Sequence, residues 1–114
     1  MCGILLVKSK QDLPLEQHLQ ALEVLKSRGP DRTRYQYQNN IFIAQVVLHI
    51  TGTDEYYNNK HDNFLAYNGE IYNYKELGNY NNDVEFVDDC VNTNSKSLIH
   101  GWGPWAWAWT DGNT

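Results

Sequence analysis

Cys2, the pair Asn68-Gly69 and Asp83 have types and positions suited to chemistry on an amide. Cys2 follows the initiator Met, and a small second residue is the context in which aminopeptidases remove that Met. Removal leaves Cys2 with a free α-amine, whose ordinary pKa of about 8 suits a general base near neutrality. A thiol beside its own base is an activated nucleophile. A retained Met1 would instead tie that nitrogen into an amide and remove the base. The Asn68 carboxamide and the Gly69 N–H can together donate two hydrogen bonds to one developing oxyanion. The missing Cβ of Gly69 lets a substrate come close. Asp83 can hold a substrate ammonium group. Taken singly, each has a plainer reading: Cys2 as a small hydrophobe opening a strand, Asn68-Gly69 as a type I′ turn, and Asp83 as a helix cap.

The elements that must position these residues follow from patterning. Cys2 to Lys8 is a short, mostly apolar run that reads as a buried strand. Asp12 is a candidate N-cap and Pro14 suits a first helical turn. Leu15, Leu19, Leu22 and Leu25 then recur at helical spacing through Lys26, giving an amphipathic helix with leucines toward the core. Arg28-Gly29-Pro30-Asp31 ends it, with Gly29 as a C-cap. Arg34–Gln38 and Ile41–Ile50 read as strands joined at Asn39-Asn40, which tolerate positive φ. Residues 51–62 are polar and predict a surface loop. Asn63–Tyr67 reads as a strand, Asn68-Gly69 as its hairpin turn, Ile71-Tyr72 as the returning strand, and Tyr74–Leu77 as a short helical turn. Asn82 or Asp83 caps a second helix whose buried face is Val84, Val87, Cys90 and Val91. Trp105 to Trp109 alternates Trp with Ala at period two, which predicts a strand with one aromatic face. Strands and helices in this order predict an α+β sandwich with antiparallel pairing.

Composition narrows the function classes. The chain has 114 residues and a net charge of −5, which fits one domain, residues 1–114, and argues against an electrostatic grip on nucleic acid or anionic lipid. No apolar run approaches the ~20 residues that cross a bilayer. With no secretory leader pattern and only Cys2 and Cys90 as thiols, a reduced, cytoplasmic chain is expected. His18, His61 and His100 lack metal-ligand spacing and read as surface histidines, and Asp88-Asp89 reads as a solvated helix face. No metal, phosphate loop or other cofactor is expected.

Read together and in order, Met1-Cys2-Gly3-Ile4, Arg28-Gly29-Pro30-Asp31, Asn68-Gly69-Glu70-Ile71-Tyr72-Asn73 and Asp83-Val84-Glu85 resemble the glutaminase domain of class II, or N-terminal-nucleophile, glutamine amidotransferases, in particular that of asparagine synthetases. Phe64–Tyr67 resembles the family strand leading into its Asn-Gly-Glu segment, and Gly103–Gly112 the later family strand of alternating Ala and aromatic residues. The resemblance implies an N-terminal-nucleophile hydrolase-like αββα sandwich, shortened at the C-terminus. It also implies catalytic roles for Cys2, Asn68 and Gly69. Asp83 would hold the glutamine ammonium, Glu70 would orient the substrate, and Arg28 would shape a loop over the pocket.

The chain departs from that pattern at Val47, where the family usually carries an Arg that clamps the glutamine carboxylate. His49 lies two residues on, on the same face of an extended strand, and is a candidate replacement when protonated. The resemblance implies glutamine as substrate and a separate synthetase that takes the ammonia. An aromatic strand left bare by the shortened domain predicts a homo-oligomer. Two other functions remain open on these residues. One is a binding or regulatory module that keeps the fold without catalysis. The other is an amidohydrolase acting on a substrate without an α-carboxylate, for which an apolar Val47 would be suitable.

Overall fold

The computed structural model describes residues 3–47 and 63–114. Cys2, His49, His61 and the expected surface loop 51–62 lie outside the described residues. The chain forms β1 (Gly3–Lys8), α1 (Leu15–Leu25), a 3-10 turn (Lys26–Arg28), β2 (Arg32–Gln38), β3 (Ile41–Val47), β4 (Phe64–Gly69), α2 (Tyr74–Leu77), α3 (Asp83–Thr93), a second 3-10 stretch (Ser95–His100) and β5 (Trp105–Thr110).

The fold is α+β with antiparallel sheets. β3 is central in a three-stranded sheet of order β1-β3-β2, and β4 pairs with β5 in a second sheet. The β2–β3 hairpin turns at Asn39 and Asn40, with φ of 52° and 61°. Both central residues are left-handed, as a two-residue turn between right-twisted strands requires. The Asn39 side chain then donates to the Gly112 carbonyl at 2.7 Å, tying the turn to the end of the chain.

Strand alternation decides which layer each residue joins. Phe42, Ala44 and Val46 of β3 face α1 and pack with Leu22 and the half-buried Leu19 and Leu25. Ile43 faces the other way and packs with Phe64 and Ala66 of β4, Ile4 of β1 and Ala108 of β5. Leu65 and Tyr67 of β4 face outward from that contact, onto Phe86, Val87 and Cys90 of α3, with Trp105 and Trp109 packed beside them. α1 thus packs on one face of β3, and α3 packs on one face of β4. Full burial of a side chain such as Phe42, Ile43, Leu65 or Val87 contributes about 1.5–3 kcal/mol each.

Several expectations are corrected. Asn68-Gly69 is not a hairpin turn. Both residues lie in β4, paired with Ala106 and Trp105, and Ile71-Tyr72 does not return alongside β4. The backbone continues along the same partner segment instead, with Glu70 N–H donating to the Pro104 carbonyl and Tyr72 N–H to that of Trp102, each at 2.8 Å. A local turn preference has yielded to pairing between distant segments. Helix α1 begins after Pro14, with no side-chain cap, so Asp12 does not cap it. His18 is buried on α1, its ring stacked 4.8 Å from Phe42 and edge-on to Tyr37 at 4.7 Å. Asp88 is buried rather than solvated and accepts from Asn92 Nδ2 at 2.9 Å, whereas Asp89 accepts from the Tyr80 hydroxyl at 2.6 Å. The aromatic face of β5 is mostly covered, with Trp107 the more exposed of its tryptophans. Among the described residues no helix is long and apolar enough to cross a membrane.

Candidate active site

The expected site residues on β4 take their directions from strand parity. Residues 70 and 72 donate toward the β5 side. The backbone N–H and C=O of alternate residues in an antiparallel strand point the same way, so those of Leu65, Tyr67, Gly69 and Ile71 point to the opposite edge. Side chains cover that edge in part. Arg34 of β2 donates to the Leu65 carbonyl, and Gln45 of β3 donates to that of Tyr67. The Ile71 N–H donates to Asp83 Oδ2 at 3.0 Å. The Gly69 peptide lies on this edge between the Gln45 and Asp83 contacts. The Asn68 side chain, half-buried, shares the parity of Phe64 and Ala66 and so faces the cleft between the sheets.

Close approach of chain makes glycine necessary at position 69. Its φ is 150°, and a Cβ there would sit 2.3 Å from the Pro104 carbonyl oxygen and 2.5 Å from the Trp105 Cα. Across the pair, Gly103 (φ 134°) has the matching constraint, since a Cβ would come within 2.0 Å of the Glu70 carbonyl oxygen. The motif's last residue, Asn73, is buried and structural. Its Nδ2 donates to the His100 carbonyl at 2.9 Å, and its Oδ1 accepts from the Trp102 N–H at 2.7 Å. These bonds hold the strap 100–103 against the backbone after Gly69.

Asp83 is released from capping by its neighbours. Asn82 is the N-cap of α3, its Oδ1 accepting from the Glu85 N–H at 2.9 Å. Glu85 reaches back to accept from the Asn81 N–H at 2.9 Å. Asp83, the first residue of α3, turns its carboxylate to β4. There Oδ2 accepts from the Tyr67 hydroxyl at 2.8 Å as well as from the Ile71 N–H. Oδ1 takes part in neither bond. The Tyr67 hydroxyl is pushed far above the ordinary phenol range, first by burial, then by the Asp83 charge and hydrogen bond, and last by Glu70. Tyr67 therefore stays a neutral donor that orients Asp83.

The remaining site expectations divide. Glu70 is exposed and close enough to add its charge to that of Asp83 at Tyr67. Arg28 is not brought to the cleft by its stem: its Cδ lies 3.7 Å from where a Gly3 Cβ would be, beside Val46 and Leu25, on the α1 face of the sheet. Cys2 and His49 lie outside the described residues. Ile4 faces the cleft and is the register partner of Gln45, which in turn donates to the Tyr67 carbonyl. The start of β1 is thereby linked through one side chain to the backbone next to Asn68.

Sequence reading missed Tyr67, Gln45 and Arg34 as positioning residues. Gln45 carried a signal: it is the lone polar residue in the run Ile41–Val47, and a buried polar group needs a partner. Tyr67 carried none, because its partner is 16 residues away. Cys90 is a buried free thiol, pushed up to about 11 by burial and the nearby Asp89 charge. It is not a nucleophile near neutrality. Among the described residues no cluster of ligating side chains suits a metal.

A family profile described as a glutamine amidotransferase domain matches residues 1–100. A probable glutamine-hydrolysing asparagine synthetase of Acanthamoeba polyphaga mimivirus is 34% identical over 101 residues, covering 79% of this chain and 18% of that protein. The glutamine-hydrolysing asparagine synthetase of Sandersonia aurantiaca is 30% identical, covering 88% of this chain and 22% of the relative. A root asparagine synthetase of Pisum sativum is 32% identical over 84 residues, covering 68% of this chain and 14% of the relative. The chain thus spans at most about a fifth of the length of these relatives.

Proposed function

Because the chain belongs to the glutamine amidotransferase domain family, we propose that it hydrolyses the side-chain amide of glutamine through Cys2 and passes the ammonia to a synthetase partner. The observation that carries this reading is the edge of β4. Asn68 and the Gly69 peptide offer hydrogen-bond donors there, and the Asp83 carboxylate lies just beyond them, held by Tyr67 and Ile71. A carboxamide carbonyl and an ammonium on one amino acid match donors and a carboxylate arranged along one strand edge. The packing order of helix, two sheets and helix supports the N-terminal-nucleophile αββα sandwich for the chain.

In the proposed reaction the Cys2 thiol gives its proton to its own α-amine, directly or through water, and the sulfur attacks the carboxamide carbon. The oxyanion that forms takes hydrogen bonds from the Asn68 side chain and the Gly69 N–H, which are worth most where the charge develops. Collapse of the intermediate breaks the C–N bond, and the α-ammonium returns the proton to the leaving ammonia. Water then adds to the thioester, a proton returns to sulfur, and glutamate leaves. Asp83 binds the substrate ammonium through the whole cycle, with Glu70 adding negative charge nearby. Cys2 and Cys90 suit a reducing, cytoplasmic setting, in which the Cys2 thiol stays free.

The test is glutamate release from glutamine by protein lacking Met1, against a Cys2→Ala control. Release that depends on Cys2 supports the reading; release that survives Cys2→Ala, or none from the Met1-free protein, rejects it. An apolar Val47 also favours a substrate without an α-carboxylate, and the same assay with simple amides separates that reading.

A further inference from the structure

We propose that Gln45 is a positioning residue for turnover: its side chain fixes the offset between the strand that follows Cys2 and the edge of β4, and so governs kcat rather than substrate binding. The proposal rests on the glutamine reading above and assigns the spacing on which that reaction depends.

The groups proposed to hold glutamine belong to one unit. Asn68 and Gly69 lie in β4. Asp83 opens α3 and is bonded to β4 twice, through the Tyr67 hydroxyl and the Ile71 N–H. The proposed nucleophile belongs to the other sheet. Cys2 is joined to Gly3, the first residue of β1, and β1 shares its sheet with β3 and β2, whereas β4 pairs with β5. Attack therefore depends on the offset between the two sheets. Binding at Asn68, Gly69 and Asp83 does not.

Apolar packing defines the separation of the sheets better than their offset. Ile43 and Ile4 meet Phe64, Ala66 and Ala108 between them, and contacts of this kind are non-directional. A hydrogen bond has both a length and an angle to satisfy. Gln45 Nε2 donates to the Tyr67 carbonyl at 2.5 Å, and that carbonyl belongs to the peptide leading into Asn68. Gln45 is also the register partner of Ile4 on one side and of Arg34 on the other. One half-buried side chain thus spans from the sheet that carries β1 to the peptide next to Asn68.

Arg34 makes a companion contact further from the site. It donates to the Leu65 carbonyl and lies 4.2 Å over the Phe64 ring. Of the two carbonyls, that of Tyr67 is the nearer to Gly69 along β4. Every other residue of Ile41–Val47 is apolar, so Gln45 is the side chain of β3 that can make this bond. A misplacement of about 1 Å in a reacting pair lowers a rate by about 100-fold, which sets the scale of the expected effect.

The test compares Gln45→Met, which keeps the length of the side chain and removes the donor, with Gln45→Glu, which donates only when protonated. In protein lacking Met1, Gln45→Met should lower kcat for glutamine about 10- to 100-fold and leave KM within about twofold of the parent. Gln45→Glu should match Gln45→Met at about pH 8 and regain activity relative to the parent toward about pH 5, as the carboxyl takes up a proton. That comparison is made within one folded protein, so it decides the matter even where Gln45→Met fails to fold. A second measurement needs no turnover. A nitroxide on Cys2, with the buried Cys90 unlabelled, broadens the NMR signal of the Gly69 amide according to their distance, and the broadening should change in Gln45→Met. An unchanged kcat overturns the proposal, as does a rise in KM that accounts for the whole loss, a Gln45→Glu profile parallel to that of the parent, or unchanged broadening. Altered broadening in a protein whose parent releases no glutamate leaves Gln45 in place and rejects only the hydrolytic reading. Cys2-dependent release that Gln45→Met leaves intact does the reverse.

Discussion

The Tyr67 hydroxyl donates to Asp83 Oδ2 at 2.8 Å, joining the middle of β4 to the first residue of α3 beside the Asn68-Gly69 edge. Asp83 has one other donor on that oxygen, the Ile71 N–H. Tyr67→Phe removes the hydroxyl and keeps the buried ring. A hydrogen bond to a charged group is worth about 1.5–3 kcal/mol, so the midpoint of denaturant unfolding should fall accordingly. Where glutamine hydrolysis is measurable, KM should rise several-fold, because Asp83 loses its orientation. An unchanged midpoint and KM would mean that the bond holds nothing in place.

Alkaline pH should destabilise the fold in a defined window. Burial and the Asp89 charge push the Cys90 thiol from 9.0 up to about 11. The hydrogen bond to Asp89, with burial, pushes the Tyr80 phenol from 10.0 up to about 12. Tyr67 is raised further still. Each group holds its proton more tightly folded than unfolded. Its stabilisation is therefore complete below the unfolded value and is lost as pH rises toward the folded one. Tm should be level up to pH 9 and fall between pH 9 and 12. Cys90→Ala should move the onset toward pH 10, and Tyr67→Phe should make the fall shallower.

Alkylation should distinguish the thiols. With its pKa near 11, about one Cys90 side chain in 10,000 is thiolate at neutral pH, and it is buried as well. Iodoacetamide at pH 7, followed by peptide mass analysis, should label Cys2 on Met1-free protein within minutes and Cys90 only after unfolding. Rapid labelling of Cys90 in folded protein would contradict the packing of this face of α3 against β4.

The paired glycines should be intolerant and a third glycine tolerant. Gly69→Ala and Gly103→Ala each force a Cβ onto backbone atoms at positive φ, and each should cost about 2 kcal/mol or more. The nearest atoms to a Cβ on Gly78 are those of the Tyr80 ring, side chain rather than backbone, so a small shift of that ring against its Asp89 hydrogen bond makes room. Gly78→Ala should stay within about 1 kcal/mol of the parent. Thermal unfolding of the three variants side by side checks the order.

Capping and substrate contact should separate at the start of α3. Asn82→Ala removes the side chain that accepts from Glu85 N–H and should cost about 1 kcal/mol of stability with little change in KM. Asp83→Asn keeps the shape and loses the charge, so KM should move more than stability. The reverse pattern in the two variants would return Asp83 to a capping role.

Local rules made a good part of this molecule legible in its sequence. The leucine spacing of α1, the Asn39-Asn40 turn, the short α2 and the alternation of β5 each depend on a few adjacent residues, and each appears close to where it was expected. The motifs Met1–Ile4, Arg28–Asp31, Asn68–Asn73 and Asp83–Glu85, read in order, were enough to point to the family. Tertiary structure decided the rest. Asn68-Gly69 has the composition of a tight turn, yet pairing with Trp105 and Ala106 keeps both residues in a strand. Asp83 has the composition of a cap, yet Asn82 takes that role and frees it for Tyr67. His18 and Asp88 carry polar side chains into the interior because neighbouring rings and Asn92 accommodate them there. The physical reason is the same in each case. Propensities and spacing act over a turn of helix or a few residues of strand, whereas cross-strand partners, buried hydrogen bonds and the charges lining a cleft are set by residues far apart in the chain.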